Sequence, residues 1–388
     1  MGYLGSPIRL LGSALIACST VPLVAQVGAP AQPIPVRQQP PGANEPVVQG
    51  EGRAVAEKLA IELELNFLFP DQAKRYAAML RSNLAEGRYD QGTRQQLAER
   101  LTDDLQAVEK DGHLRVMVAG PRQGPPGGGP DRSPPPGAPP LIQSAKEIAP
   151  GIAYIRFTAF MGTDDEVAAV RKFMADNKDA KTLIFDLRNH HGGGPAEMDE
   201  IFPYLFAAKT PLVTLEMPRS TFDRRGSPFG PSQGEGEIPT METVKDDQYV
   251  RTTHYAIPNG TSSLRAAKVY LLVSNVTGSA AEHFSLAFKS TGRGTLIGEA
   301  TAGANHFGGP APLNDNFAVW MPVGRTYDIK TGKDWEGTGV APDIEVDPKQ
   351  ALVVALEKAG LSREEAVRLD ATEVPAEPVH RDRPRGAR

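Results

Sequence analysis

The 388-residue sequence holds one cysteine, Cys18. A single thiol excludes an intrachain disulfide framework and a cysteine-built zinc site. Positive charge in excess is missing as well. Forty-two Lys and Arg against 47 Asp and Glu leave a net charge of −5, which excludes the basic footprint that neutralises nucleic-acid phosphates. No segment beyond the N-terminal region approaches the roughly 20 apolar residues that a membrane-spanning helix needs. What is present is an ordinary globular mix of 40% hydrophobic and 23% charged residues, with 39 glycines and 35 prolines that demand many turns and loops.

Arg9 is the one charge before an apolar run, Leu10 to Ala17, that continues towards Ala25. A positive start, a short apolar core and small residues at its end read as a secretory signal over residues 1–25. The competing structural reading is a buried N-terminal helix, which the proline-rich stretch that follows disfavours. Two processing routes compete. Cleavage after Ala25 releases a soluble exported protein, whether periplasmic or secreted. Leu15-Ile16-Ala17-Cys18 alternatively resembles a bacterial lipobox, which would leave a lipid anchor on Cys18.

Residues 26–46 are rich in Pro, Gln, Gly and Ala and read as a flexible leader. Residues 47–118 read as a small helical bundle domain. Leu97, Leu101, Leu105 and Val108 recur with a period near 3.6, and Phe69-Pro70-Asp71 and Gly87-Arg88-Tyr89-Asp90 break the pattern into about three helices. Residues 119–144 form a Pro/Gly-rich linker: 14 of residues 121–140 are Pro or Gly. Over 145–362 strand and helix patterns alternate, which predicts an α/β domain. Strands are expected at Ile152–Phe160, Thr182–Leu187, Leu212–Met217, Val269–Val273, Thr295–Gly298 and Phe317–Pro322. Helices are expected at Asp164–Asn177, Pro195–Phe206, Ser279–Ser290 and Pro348–Lys358. Residues 218–245 read as a long irregular excursion near the site, and 363–388 as a tail, frayed from about Thr372.

Three stretches carry chemistry. In Leu271 to Glu282 an apolar strand runs through a small-residue turn, Ser274 to Gly278, into a helix that begins at Ser279. A serine there is presented at the strand's carboxyl end, with backbone N–H groups beside it. The plainer reading is that Ser279 caps the helix in a capping box with Glu282. Asp186 to Pro195 places Gly192, Gly193 and Gly194 after a second apolar strand, where their N–H groups could bind an oxyanion. The segment lacks the Lys and Ser/Thr of a P-loop. The third stretch, Trp335 to Asp343, is a glycine-rich loop carrying Glu336.

Together these segments resemble the C-terminal-processing (tail-specific) serine peptidase family, in the branch related to the tricorn protease core and to interphotoreceptor retinoid-binding protein repeats. The likeness covers about residues 50–118 and 145–360, on four motifs in order: Asp186-Leu187-Arg188 with the glycines, Ser279-Ala280-Ala281-Glu282, Gly298 to Gly303, and Glu336-Gly337 to Pro342-Asp343. It implies an α/β core of the crotonase/Clp-protease-like ββα type behind a small helical bundle. The PDZ domain that many members insert before the core does not fit within 119–144. The Ser/Lys half of the family carries its lysine 25 positions after the serine, where this chain has Ala304. Lys289, on the serine's own helix, reads as a solvated face residue. Asp111 to Val116 instead matches the tricorn-like branch, which draws a histidine from the helical domain.

The resemblance therefore implies Ser279 as nucleophile, His113 as base, Glu336 as its support, and Gly192 and Ala280 as oxyanion donors. Gly193, His191 and His306 would line the substrate cleft. No cofactor and no metal is implied, and the partners would be peptide or protein substrates. The chemistry is coherent, since a serine alcohol needs a base near neutrality and an oxyanion needs fixed donors. Each role has a structural rival. His113 could be a packed core histidine, Glu336 a loop ion-pair partner, and His283 structural. His190 and His191 could be a metal pair, although adjacent residues of an extended segment point apart. The function expected is an exported serine peptidase. The alternatives are a catalytically silent module of the same fold that binds a hydrophobic ligand or a peptide, and a scaffold using its Pro-rich arms.

Overall fold

The computed structural model describes residues 40–119, 140–226, 238–375 and 378–380. The expected signal segment, most of the leader, the Pro/Gly-rich run and the centre of the 218–245 excursion lie outside the described residues.

Three helices come first: α1 (Glu51–Asn66), α2 (Pro70–Ala85) and α3 (Arg94–Val108). Pro70 opens α2 with its fixed φ. Thr93 caps α3 in a reciprocal box with Gln96. The apolar stripe that the periodicity predicts is real, with Leu97, Leu101 and Leu105 fully buried. The bundle does not close on itself, however. Its buried face continues into Val116, Val118, Val250, Phe317, Val319 and Met321, so strands of the following region complete its core.

The strands and helices that follow are β1 (Arg115–Val118), β2 (Ile142–Ala149), β3 (Ile152–Phe157), α4 (Asp164–Asp176), β4 (Thr182–Asp186), α5 (Ala196–Leu205) and β5 (Thr210–Pro218). Next come α6 (Arg219–Arg225), β6 (Met241–Lys245), β7 (Tyr249–Ala256), β8 (Lys268–Val273), α7 (Ala280–Thr291) and β9 (Thr295–Gly298). Last are β10 (Phe307–Pro312), β11 (Phe317–Tyr327), β12 (Ile344–Glu345), α8 (Ala351–Ala359) and α9 (Arg363–Asp370). They build two six-stranded sheets. The first runs β12-β9-β8-β4-β3-β2, parallel except for the edge strand β2. The second is antiparallel in the order β1-β11-β5-β7-β6, with β10 also on β11.

The parallel sheet is buried on both faces. Alternate residues Leu183, Phe185 and Leu271 pack with α4, α5 and α7, and Tyr154, Ile184 and Leu272 pack with α8 and α9. That double burial explains the unbroken apolar runs of its strands.

Three expectations need correction. The excursion is not irregular throughout, because α6 and β6 lie within it. The stretch 363–370 is helical. The tail also keeps specific contacts to residue 380: the Asn189 side chain donates to the Pro378 carbonyl at 2.7 Å, and His380 meets Glu299 at 2.8 Å.

The carboxyl end of β4 is held by a fully buried ionic cluster. Asp186 accepts from Arg188, from Arg156 and from the Tyr154 hydroxyl. Burial alone would raise its pKa, but the two guanidiniums and the hydrogen bonds win, and the carboxyl titrates well below the usual range. Asp186→Ala would strand two buried guanidiniums. It is expected to cost about 3–5 kcal/mol, read as a fall in the urea midpoint at unchanged m-value.

Candidate active site

Two turns meet at the carboxyl ends of the neighbouring strands β4 and β8, where open α/β sheets place their ligands. Four hydrogen bonds stitch them together. Leu187 N–H donates to Leu272 O at 2.9 Å and Gly278 N–H to His190 O at 2.9 Å. The Ser274 hydroxyl donates to Arg188 O at 2.6 Å and the Thr277 hydroxyl to Leu187 O at 2.8 Å. The glycine loop and the serine turn are thus one rigid piece.

Ser279 stands between that turn and α7. Its backbone lies at φ 56°, ψ −120°, and it is the one non-glycine residue with positive φ among the described residues. An ordinary capping serine has extended backbone. A strained conformation of this kind costs on the order of 1–3 kcal/mol and persists only where the surroundings enforce it. The enforcing group is Glu282, buried at 0% exposure. Its carboxylate accepts from Ser279 N–H (2.8 Å), Ala304 N–H (2.9 Å), Gly303 N–H (2.7 Å) and the Thr301 hydroxyl (2.6 Å). Burial pushes this carboxyl up to about 6, against the pull of those four donors.

Gly192 packs directly on the serine: a Cβ there would come within 2.7 Å of the Ser279 Cβ, and its φ is 111°. Its N–H, expected to face an oxyanion, instead donates to His190 Nδ1 at 3.0 Å. His190 therefore carries its proton on Nε2. It is fully buried against Phe160, ring centroids 4.1 Å apart, and burial, with a smaller push from His191, lowers its pKa to about 3. Its neighbour His191 is exposed. Ala280 N–H, at the first turn of α7, makes no hydrogen bond among the described residues. Gly193 is exposed, and its backbone pairs with Phe160.

The remaining side chains gather between the helical region and the core. The loop after α3 carries Asp111, Gly112 and His113. Glu336 accepts from Gly112 N–H through Oε1 (2.8 Å) and from Asn305 and His306 N–H through Oε2 (2.7 and 3.0 Å). Asp111 Oδ1 accepts from His113 and Leu114 N–H, and Oδ2 from His306 Nδ1 at 2.7 Å. His306, expected in a subsite, is instead 6% exposed and tied to Asp111. The His113 ring stacks on Trp320, centroids 6.4 Å apart and planes 23° from parallel, and its Nδ1 is buried without a partner among the described residues. Burial lowers its pKa and so does His306, while Glu336 and Asp111 raise it, and the net direction is down.

Asp111, His113 and Glu336 bring a ring nitrogen and two carboxylate oxygens within 4.8 Å of one another. Every carboxylate oxygen in the group already accepts an N–H, so the cluster holds the loop after α3 against the core. The sequence reading missed Asp111 and the structural weight of Glu282. The local half of Glu282's role, its capping-box contact to Ser279, was legible; its bonds to residues 301–304 and the bond of Asp111 to His306, 195 positions away, leave no local signal.

His283, on α7, was expected to be structural. It meets His254 at 2.9 Å, and His254 meets Asp199 at 2.9 Å, a buried chain joining β7 to α5 and α7.

The geometry is thus a strained serine on a strand–turn–helix junction beside a glycine loop, at the carboxyl edge of a parallel sheet. The family model for peptidase family S41 matches residues 151–346, and the chain belongs to that family. A second model, the N-terminal domain of this peptidase type in eukaryotic interphotoreceptor retinoid-binding protein, matches residues 48–157. The chloroplastic C-terminal processing peptidase of Tetradesmus obliquus is 27% identical over 212 residues, 53% of this chain and 38% of that protein. The chain is thus matched to well under half of that relative's length. Among solved structures, the photosystem II D1 C-terminal processing protease superposes with a TM-score of 0.50 at 16% identity, covering 83% of this chain and 97% of its own. A protein of Parabacteroides merdae gives 0.52 at 16%, covering 80% and 97%. These likenesses establish the fold.

Gly192→Ala and Gly194→Ala separate the close approach from general loop flexibility. The first puts a methyl against Ser279 on a left-handed backbone and is expected to cost about 1–3 kcal/mol. At Gly194 a methyl would meet nothing within 4 Å, so that variant is expected to stay near wild type. Denaturant titration of both checks the difference.

Proposed function

We propose that this chain is an exported serine peptidase that cleaves peptide bonds through an acyl-enzyme, with Ser279 as nucleophile, His113 as base and Glu336 as its support. The observation that carries the reading is the backbone of Ser279. The Glu282 contact to the Ser279 N–H is the capping-box half of that junction, but a serine that merely ended a helix would have no reason to hold a positive φ against Gly192. The reading is further supported by the continuity of the frame. Glu282 ties Ser279 to Gly303 and Ala304, and Glu336 ties the next two residues, Asn305 and His306, to the loop that carries His113.

In this mechanism His113 takes the hydroxyl proton as Ser279 Oγ attacks the carbonyl carbon. The C–N bond then breaks as the proton passes to the leaving amine. Water, deprotonated by the same imidazole, attacks the acyl-enzyme and releases the acid with Ser279 restored. Glu336 acts by its charge, since its oxygens already accept three backbone N–H groups, and it favours the transient imidazolium. Ala280 N–H would face the oxyanion. Gly192 N–H is the second donor, and a substrate oxygen must draw it from His190 Nδ1, an exchange of one acceptor for a charged and stronger one.

The substrates proposed are polypeptides, in keeping with the relatives named for C-terminal processing. None of the described helices is long and apolar enough to cross a membrane. Export rests on the N-terminal pattern around Arg9 and the apolar run after it. Sequencing the N-terminus of the mature protein separates cleavage after Ala25 from lipid attachment at Cys18.

The activity is tested by labelling with a fluorophosphonate. Wild type is expected to label and Ser279→Ala not at all, with His113→Ala slower by about 10²-fold or more. The base works when neutral, and its pKa lies below the ordinary value of about 6.5. The labelling rate is therefore expected to fall on the acid side with a midpoint below about 6.5. Folded wild type that does not label would instead support the silent binding module, to which the retinoid-binding-type N-terminal match also points.

A further inference from the structure

We propose that His306 is a positioning residue, which clamps the loop bearing His113 onto the core through its ion pair with Asp111. The inference rests on the reading of His113 as the base.

The geometry is a closed ring. Asp111 uses Oδ1 to shape its own loop, accepting from the backbone N–H of His113 (2.8 Å) and Leu114 (2.9 Å). It uses Oδ2 to receive Nδ1–H of His306 at 2.7 Å. His306 in turn donates its backbone N–H to Glu336 Oε2 at 3.0 Å, and the other oxygen of Glu336 receives Gly112 N–H at 2.8 Å. Gly112 lies between Asp111 and His113, which closes the circuit. The backbone of His113 cannot shift without breaking bonds on both sides of it at once. Gly112 adds a steric reason: a Cβ there would lie 3.0 Å from Glu336 Oε1, so the loop sits flush on the carboxylate.

A purely packed histidine would not need this arrangement. His306 is buried, with Phe69 edge-on at 5.7 Å and Glu336 Oε2 at 3.8 Å from Nδ1. The charged and titratable groups facing it are Asp111, Glu336, Asp334 and His113. A carboxylate only accepts, so Asp111 fixes the proton on Nδ1. Burial works against the imidazolium, but the hydrogen bond and charge of Asp111, with Glu336 and Asp334, prevail and raise its pKa. The cation has a second effect by position. Two carboxylates beside His113, Glu336 and Asp111, favour protonating it, and a positive His306, with a smaller push from Arg115, offsets them. The same residue thus holds the base in place and helps keep it free of its proton.

The sign of the effect gives the test. Removing the charge at position 306 removes one of the influences that lower the pKa of His113. The acid midpoint of its activity must then move to higher pH. The probes are His306→Ala and His306→Asn, followed by fluorophosphonate labelling of Ser279 across pH, with denaturant midpoints in parallel. Asn keeps a donor close to the place of Nδ1–H but carries no charge. His306→Ala is expected to slow labelling by about 10²-fold, the scale of a misplaced catalytic group. His306→Asn is expected to recover most of that loss, with an acid midpoint above that of wild type. A role in packing alone predicts lost stability in both variants and an acid midpoint that stays put.

If both label at the wild-type rate, or if the midpoint does not move, the inference is overturned. Where His306→Ala does not fold, His306→Asn decides alone through its midpoint. A wild type whose labelling ignores His113→Ala would instead overturn the underlying assignment of the base, an outcome seen before position 306 is touched.

Discussion

The carboxylate of Glu282 is the constraint on which the rest of the site depends. It is wholly buried, and water is replaced around it by three backbone N–H groups and one hydroxyl. Burial still outweighs those donors, since the carboxyl titrates at about 6. The sign follows directly: its folded-state pKa lies above the unfolded one, so stability is lost as pH rises through about 6, by about 2 kcal/mol at neutrality. That cost secures two things at once. Ser279 is kept in a backbone state it would not choose, and residues 301–304 are pinned beside it. The same strand of chain then runs through Asn305 and His306 into the grip of Glu336 and Asp111. Glu282, buried, and Glu336, half-buried, act on the consecutive residues 303–306 and thus connect the serine to a loop that lies more than 160 positions earlier in sequence.

Histidine shows how environment decides chemistry here. His190 is buried with no carboxylate near it and stays neutral to about 3. His283 is likewise driven well down, by burial and then by its neighbour His254. His306 is as buried as these but has Asp111 at hydrogen-bond distance, and its pKa is raised. His113 falls between, near two carboxylates but bonded to neither through its ring. That intermediate setting suits the role of base proposed for His113.

The sequence disclosed the parts of the fold whose signal is local. The 3.6-residue period gave the three N-terminal helices. The double-sided burial of the parallel strands gave continuous apolar runs, and the strand–turn–helix at Leu271 to Glu282 stood out by its small residues. The rest was hidden for identifiable reasons. The edge strand β6 buries no residue fully, so it has no alternation to detect. Helix α9 buries only Ala366 and lacks an apolar stripe. Strand β10 reads as a turn because it is built of Gly and Pro, yet Gly308 is there because a Cβ would strike the Met321 carbonyl at 1.9 Å. In the site, Ser279, Glu336 and the glycines were legible from motif order. The capping-box half of Glu282 was legible as well, but the commitment of Gly192 N–H to His190, the bonds of Glu282 to residues 301–304 and the Asp111–His306 pair depend on contacts made only after folding.

The left-handed backbone at position 279 has a consequence for how such chains diverge. Glycine adopts that conformation freely, whereas serine is held there at a thermodynamic disadvantage. A descendant released from the proposed chemistry would therefore gain stability by exchanging the hydroxymethyl side chain for a hydrogen, which makes the residue glycine. On the proposed reading, the identity of this one residue becomes a marker, readable without any assay, of whether such a chain has kept its chemistry.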